Sequence, residues 1–195
     1  MFNSAHGATN GFPNPAACEF WQRKMLTHFK RMDLNHDGYV SRDDVKALIR
    51  SLATNGELSE RRSFLMQRLI IQLWEDFWCC GEDKGFDYLL PPEEFLNLMA
   101  SLNRMPDCKK QLEEPLGLLF GIIDSDGNGL ITSKEWIMYN TTVGVSTEDS
   151  QLSFEKCFDG KAEVTKADFI TVGQNFFTLT DDRHPSKHLW GPLMD

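Results

Sequence analysis

Apolar residues recur at helical spacing along most of the chain, and stretches rich in Asp, Asn and Gly interrupt them. The first segment has apolar side chains at i, i+4, i+8 and i+11, a spacing that predicts a helix with one buried face. These residues are Trp21, Met25, Phe29 and Met32. The turn-forming stretch 33–38 ends this helix, and the apolar residues at 45–49 predict a second helix that stops at Asn55.

The same arrangement of helix, polar loop and helix then repeats. The segment 59–79 has the broadest apolar face of the chain, and we expect it to be well buried. Pro106 disfavours helix at the residue before it, so it separates the first two units from the last two. No segment alternates strongly enough to form a long strand. The pattern therefore predicts an all-α fold of four helix–loop–helix units in two pairs.

The predicted boundaries follow from these breaks. Residues 1–17, with several Gly and Pro and little periodicity, predict a flexible arm. The N-terminal pair is expected at 18–104 and the C-terminal pair at 105–195. Within them the four units are expected at about 20–55, 72–103, 111–146 and 148–179, followed by a tail at 180–195.

The loop 124–135, DSDGNGLITSKE, has the spacing of a twelve-residue loop that holds a calcium ion. Gly129 at position 6 allows the sharp turn, and Ile131 at position 8 can pair with a neighbouring loop. An Asp- and Gly-rich surface turn is disfavoured because the flanking helices fit as well. The candidate ligands are Asp124, Asp126, Asn128, Leu130 through its carbonyl, Thr132 through water, and Glu135 with two oxygens.

The loop 33–44, DLNHDGYVSRDD, follows the same register. It differs at position 12, where Asp44 is one methylene shorter than Glu and reaches an ion less easily with both oxygens. We therefore expect fewer ligands and a site that also takes six-coordinate Mg²⁺. Its candidate ligands are Asp33, Asn35, Asp37, Tyr39 through its carbonyl, Ser41 and Asp44.

The other two loops have lost part of this pattern. In the second loop, 83–94, Gly85 stands at position 3 and Tyr88 replaces the turn Gly, so only weak binding through Asp83, Asp87 and Glu94 is conceivable. In the fourth loop, 157–168, Cys157 and Lys161 stand where oxygen ligands are required. We expect that loop to bind no metal and to serve as the structural partner of the third.

Composition narrows the possible functions. The chain has 29 Asp and Glu against 20 Lys and Arg, a formal net charge of −9, and a nucleic-acid binder would need a basic face. It has no apolar run of about 18 residues and no secretory signal pattern, so we expect a cytoplasmic protein without a transmembrane segment. The five cysteines have no C-x-x-C spacing, which is typical of reduced thiols. No catalytic motif is present, and a non-enzymatic monomer is expected.

These loops resemble those of the EF-hand superfamily, and in particular the invertebrate sarcoplasmic calcium-binding proteins and the calexcitins. The resemblance rests on Asp44, on the degraded fourth loop and on the C-terminal stretch 188–193, HLWGPL. It implies a compact pair of EF-hand pairs whose tail packs over the apolar interior. It also implies binding of Ca²⁺, and often of Mg²⁺, in the cytosol, and the loops themselves predict two Ca²⁺ sites with Mg²⁺ also bound at the first.

The resemblance leaves three functions open. A calcium sensor of calexcitin type, which would expose an apolar face to a target protein, is the first expectation. The alternative is a Ca²⁺/Mg²⁺ buffer, because a tail that fills the interior groove leaves no room for a target. Luciferin binding is a weaker alternative, and light emission is disfavoured because Val172 stands where photoproteins of this superfamily have a histidine.

Overall fold

The computed structural model describes residues 17–55, 59–79, 84–85 and 87–194. Residues 1–16 of the predicted N-terminal arm lie outside these ranges, and so does Asp83 of the second loop. The N-terminal half contains helices α1 (Glu19–Met32), α2 (Arg42–Asn55), α3 (Glu60–Leu73), which continues as a π-helical turn (Trp74–Trp78), and α4 (Pro92–Asn103).

The C-terminal half follows after a turn at 104–107. It contains the short helix α5 (Cys108–Gln111) and then α6 (Glu113–Ile123), α7 (Ser133–Thr142), α8 (Thr147–Cys157) and α9 (Lys166–Thr178), and it ends with a 3₁₀ turn (Pro185–His188). The fold is all-α in its framework, as predicted.

Short antiparallel strands join the loops in pairs. In the N-terminal half, β1 (Val40–Ser41) pairs with β2 (Leu89–Leu90), and Val40 lies opposite Leu90. In the C-terminal half, β3 (Leu130–Thr132) pairs with β4 (Glu163–Thr165) over three residues. The central residue of β3, Ile131, lies opposite Val164, and both are fully buried. The position-8 residues therefore tie the loops together, as the sequence predicts for Ile131.

The interior is lined with aromatic rings contributed by both halves. The indole Nε1 of Trp21 in α1 donates a 2.8 Å hydrogen bond to the carbonyl of Phe177 in α9. Beside it, the buried ammonium of Lys24 donates to the carbonyls of Phe176 and Leu179, at the end of α9. Burial lowers the pKa of Lys24 to about 8. Helix α1 is therefore fastened to α9 by groups that lie in the core.

The C-terminal tail covers this interior, as expected. Leu189 and Trp190 are buried, and the Trp190 ring stacks on His28 with a centroid distance of 4.7 Å. The guanidinium of Arg31 holds the tail by donating to the carbonyl of Trp190, and it also donates to the carbonyl of Gly144 after α7. The backbone N–H of Met194 donates to the hydroxyl of Thr27. The tail therefore packs against α1 and forms part of the core.

Helix α3 departs from its prediction. Its inner face is buried through Met66, Ile70 and Leu73, but Phe64 is 60% exposed and Ile71 is 43% exposed. The prediction of a well-buried segment is therefore only partly right, because the apolar residues occupy two sides of this helix and only one side meets the core.

Among the residues that the structure describes, no helix combines the length and the apolar character that a membrane crossing would need.

Candidate metal centres

The third loop is shaped by the carboxylate that opens it. Asp124, directly after α6, accepts hydrogen bonds from the backbone N–H groups of Gly127, Asn128 and Gly129. Gly129 has φ +87°, the left-handed conformation that a residue without a Cβ adopts at little cost. The side-chain oxygens of Asp126 and Asn128 each accept from the N–H two residues later. These bonds curl the loop around its oxygen atoms.

Glu135 closes the same loop from the first turn of α7. One carboxylate oxygen accepts from the N–H and the hydroxyl of Ser125, and the other accepts from the N–H and the hydroxyl of Thr132. Burial opposes ionisation of Glu135, but these hydrogen bonds together outweigh it and lower its pKa. Glu135 is therefore held as a carboxylate at the position where an ion needs it.

The pKa of Asp124 is shifted in the opposite direction to that of Glu135. Burial raises its pKa against the opposing effects of the Gly129 and Gly127 N–H groups and of Arg62. One oxygen each from Asp124, Asp126 and Glu135 lies within 4.8 Å of the others. Such a gathering of carboxylates, two of them buried, concentrates negative charge that a hard divalent cation would neutralise. The oxygen donor set of this loop fits Ca²⁺.

The first loop repeats this hydrogen-bond framework. Asp33 accepts from the N–H groups of Asp37 and Gly38. Asp44 accepts with one oxygen from the N–H groups of Leu34 and Asn35, and with the other from the N–H and hydroxyl of Ser41. Asp33 and Asp44 are buried, while Asp37 is exposed. The shorter Asp44 thus accepts from the same backbone positions as Glu135 does in the third loop, although position 2 here is Leu34 and has no hydroxyl to donate.

The two loops differ in how closely their carboxylates approach. Asp33, Asp37 and Asp44 form no group within 4.8 Å comparable to the one in the third loop, among the residues described. The Asp37 carboxylate instead accepts hydrogen bonds from the side-chain amide of Asn35 and from the backbone N–H of Tyr39. The oxygens of this loop also suit a hard cation, but the first site starts from a looser arrangement.

The second loop is described only in part. Asp87 is exposed, and Glu94 at position 12 accepts a 2.8 Å hydrogen bond from the hydroxyl of Tyr88. Tyr88 is the residue that replaces the turn Gly, so its side chain engages an oxygen that a metal would need. Asp83, the third candidate ligand here, lies outside the described residues.

In the fourth loop a lysine ammonium lies where the carboxylate at position 12 would meet an ion. Lys161 Nζ lies 2.6 Å from Asp168 Oδ1. The hydrogen bond and charge of Lys161, with hydrogen bonds from Thr165, lower the pKa of Asp168. At position 1, burial raises the pKa of Cys157 to about 12, so its sulfur stays protonated. This loop pairs with β3 through β4, and its carboxylate at position 12 is paired with its own lysine.

Comparison with known proteins agrees with the loop geometry. Residues 27–49 and 116–138 match the family model described as "EF hand". The chain is 25% identical over 178 residues to a sarcoplasmic calcium-binding protein of Perinereis vancaurica tetradentata, an alignment that covers 90% of this chain and 99% of the relative. A protein of the same name from Hediste diversicolor matches with the same identity and coverage.

The chain is therefore similar to the sarcoplasmic calcium-binding proteins over most of its length, and its first and third loops lie within the two segments that match the EF-hand model. Its fold is also that of a coelenterazine-binding protein from Renilla muelleri, with a TM-score of 0.79 at 19% identity, covering 93% of this chain and 99% of that one. A sarcoplasmic calcium-binding protein from amphioxus superposes with a TM-score of 0.61 at 19% identity, covering 89% and 98%.

Two contacts of the third loop were not foreseen from the sequence. The hydroxyl of Ser125, at position 2 of the third loop, donates to Glu135. The guanidinium of Arg62, from α3, donates to backbone carbonyls at the start of that loop. Position 2 has no fixed residue type in the loop pattern, and Arg62 lies more than sixty residues from the loop in sequence, so neither gives a motif signal.

Proposed function

We propose that this chain is a Ca²⁺ buffer of sarcoplasmic type that binds two ions, one in the third loop and one in the first. The third-loop ligands are Asp124, Asp126, Asn128, Leu130, Thr132 and Glu135, and the first-loop ligands are Asp33, Asn35, Asp37, Tyr39, Ser41 and Asp44. The first site also takes Mg²⁺, because its shorter closing carboxylate favours a six-coordinate ion. The function is binding and not catalysis.

The observation that carries the choice of buffer over sensor is the covered interior. A sensor of calexcitin type must open an apolar groove to a target helix. Here Trp190 fills that place, stacked on His28, and Arg31 and Thr27 hold the tail by hydrogen bonds. The covered interior therefore favours a buffer over the sensor that the sequence predicts first, and the names of the relatives also favour a buffer.

Calorimetric titration with Ca²⁺, with and without millimolar Mg²⁺, tests the two sites. We expect two ions per chain, with Mg²⁺ weakening Ca²⁺ binding more at the first loop. The same titration followed by bis-ANS fluorescence separates the buffer from the sensor. A buffer gives no rise in dye binding, whereas a rise on addition of Ca²⁺ would support the sensor and overturn our choice.

The proposal places the protein in a reducing compartment as a single chain. Among the described residues, Cys18, Cys108 and Cys157 are free thiols. The cytosol keeps thiols in that state, so we place the buffer there. Size-exclusion chromatography with light scattering, with and without Ca²⁺, should give the mass of one chain.

One observation favours a second candidate function, the binding of a luciferin-type compound. A cavity of about 40 Å³ lies in the interior, and it is lined by His28, Trp78 and Tyr139 among others. His28 Nδ1 and Trp78 Nε1 are buried and have no hydrogen-bond partner among the described residues. A luciferin-binding protein of Renilla reniformis is also 22% identical to this chain over 176 residues.

The size of the cavity makes this the weaker candidate. Pockets for small organic ligands usually measure about 300–1,000 Å³, so the tail or α1 would have to move to admit one. Titration with coelenterazine, followed by quenching of tryptophan fluorescence, tests it directly. Saturable quenching that Trp190→Ala alters would support this second function.

A further inference from the structure

Helix α3 and helix α6 make a close contact between the two halves of the molecule. Helix α6 leads directly into the third loop, whereas α3 belongs to the N-terminal half. Gly121 permits the contact, because a Cβ at that position would lie 3.1 Å from the Leu69 side chain. The end of α6 that carries the third loop is therefore held against a helix of the other half.

Arg62, two turns before Leu69 on α3, binds the end of α6. Its Nε donates a 2.8 Å hydrogen bond to the carbonyl of Ser125, and its Nη2 donates to the carbonyls of Gly121 and Asp124. The guanidinium also lies against Gly127, where a Cβ would be 3.2 Å from Nη1. One side chain thus contacts the last turn of α6 and positions 1, 2 and 4 of the loop.

The chemistry of this contact suits its place. The last carbonyls of an α-helix lack partners within the helix, and the helix dipole places partial negative charge there. A guanidinium offers a planar fork of donors and keeps its charge, so it can bind several carbonyls at once. The carbonyls of Asp124 and Ser125 are directed to Arg62, while the Asp124 carboxylate accepts from the loop interior.

We propose that Arg62 is a positioning residue that couples ion occupancy of the third loop to the stability of α3. Two of the three hydrogen bonds are accepted by the first two loop residues, Asp124 and Ser125, so they require these residues to be fixed, and an ion held by Asp124 fixes them. Coupling between two such events is reciprocal, so the same bonds strengthen ion binding in the third loop. Repulsion between the guanidinium and the ion opposes this effect, and the proposal requires the positioning effect to be larger.

The inference rests on the proposed function, since it needs an ion in the third loop. The test uses the full chain with Asp33→Ala, which weakens the first site, and measures amide hydrogen exchange of 60–73 with and without Ca²⁺. We expect Ca²⁺ to slow exchange in α3 about 5-fold or more, within the usual range of coupling between sites. Arg62→Met should abolish most of that protection and weaken Ca²⁺ binding at the third loop by a similar factor.

Arg61→Met is the matched control, because Arg61 is the neighbouring residue on the same helix and is exposed. It should leave both quantities unchanged. Arg62→Lys keeps the positive charge but loses the fork of donors, so it should behave like Arg62→Met. Circular dichroism of the ion-free variants checks that each keeps its helices.

Three results would overturn the proposal. The first is unchanged protection of α3 in Arg62→Met, and the second is tighter Ca²⁺ binding in that variant, which would show that charge repulsion dominates. The third is normal coupling in Arg62→Lys, which would show that a positive charge alone is sufficient and the fork of donors is not needed. Failure of the parent chain to bind Ca²⁺ at the third loop would instead contradict the proposed function, so the two failures are distinguishable.

Discussion

The first and third loops have nearly the same hydrogen-bond framework but bring their carboxylates together to different degrees. In both, the residue at position 12 accepts from the N–H groups at positions 2 and 9. Only the third loop gathers three carboxylates within 4.8 Å among the described residues. Its strand pairing is also longer, three residues against two.

This difference shows that the backbone of such a loop does not by itself determine its ligand geometry. Asp44 reaches the same backbone donors as Glu135 although its side chain is one methylene shorter. The distribution of acids also differs, with Asp37 at position 5 of the first loop and Asp126 at position 3 of the third. The N-terminal half should therefore bind its ion less tightly and less selectively than the C-terminal half.

The largest effect is expected from removing the closing carboxylate of the tighter site. Glu135→Gln should weaken Ca²⁺ binding at the third loop by roughly 100-fold or more, because affinity depends on the number of charged ligands. Calorimetry should then show one ion bound at micromolar protein concentration. Glu163→Gln is the control, because it makes the same chemical change at an exposed residue of the neighbouring strand. It should leave two ions bound. If Glu135→Gln kept the tighter site, the ranking of the loops would be reversed.

The pH dependence of stability tests whether the two halves, despite their different loops, share one interior. Burial lowers the pKa of His28 to about 3, whereas an unfolded chain protonates this residue below about 6.5. The unfolded state therefore binds an extra proton as the pH falls below 6.5, and the folded state loses about 1.4 kcal/mol of stability per pH unit. At pH 5 the loss should be about 2 kcal/mol.

The measurement is urea unfolding of the ion-free protein from pH 7 to pH 5, compared with His28→Phe. The loop carboxylates titrate in both proteins and cancel in the difference of slopes. Fluorescence of the tryptophans and circular dichroism should report one transition for both halves. Equal slopes in the two proteins would show that His28 is protonated in the folded state and is not sealed by the tail.

Lengthening the closing carboxylate of the first loop should make it resemble the third. Asp44→Glu should tighten Ca²⁺ binding at the first loop about 10-fold, because a bidentate Glu completes the coordination that Ca²⁺ prefers. Competition by millimolar Mg²⁺ should weaken in parallel. Asp43→Glu adds the same methylene at the adjacent exposed residue and should change neither value. Unchanged affinity in Asp44→Glu would mean that Asp37, and not position 12, limits this site.

The smallest effect is expected in the fourth loop. Asp168→Asn removes the carboxylate that pairs with Lys161, an exposed ion pair of the kind worth less than about 1 kcal/mol. Two ions per chain should still bind, and thermal unfolding should change only slightly. Loss of an ion on Asp168→Asn would show that the fourth loop binds metal in spite of its lysine.

Much of this arrangement could be predicted from sequence because it depends on residues close together in the chain. The loop register from Asp124 to Glu135 follows from local turn geometry, and the partner strands follow from the position-8 residues Ile131 and Val164. The covering of the interior by Trp190 was expected only from the resemblance to a family. Local patterns and known relatives thus gave the helices, the loops and the tail.

What could not be predicted depends on contacts between distant parts of the chain. The apolar pattern of α3 does not show which of its two apolar sides meets the core, so the exposure of Phe64 and Ile71 was missed. Arg62 looks like any surface arginine until α6 is packed beside it. In the same way, the Lys161 side chain could have pointed to solvent, and its bond to Asp168 became visible only in three dimensions.

The fastening of α1 to the far end of the chain has a consequence for synthesis. Trp21 donates to the carbonyl of Phe177, and His28 stacks on the ring of Trp190, so both partners lie more than 150 residues later in the chain. During translation at roughly 5–20 residues per second, the part of the apolar face of α1 that Phe177 and Trp190 cover would stay uncovered for several seconds or more. We therefore expect ribosome-bound chains that end before the tail to engage holdase chaperones through α1, and release to follow the emergence of Trp190.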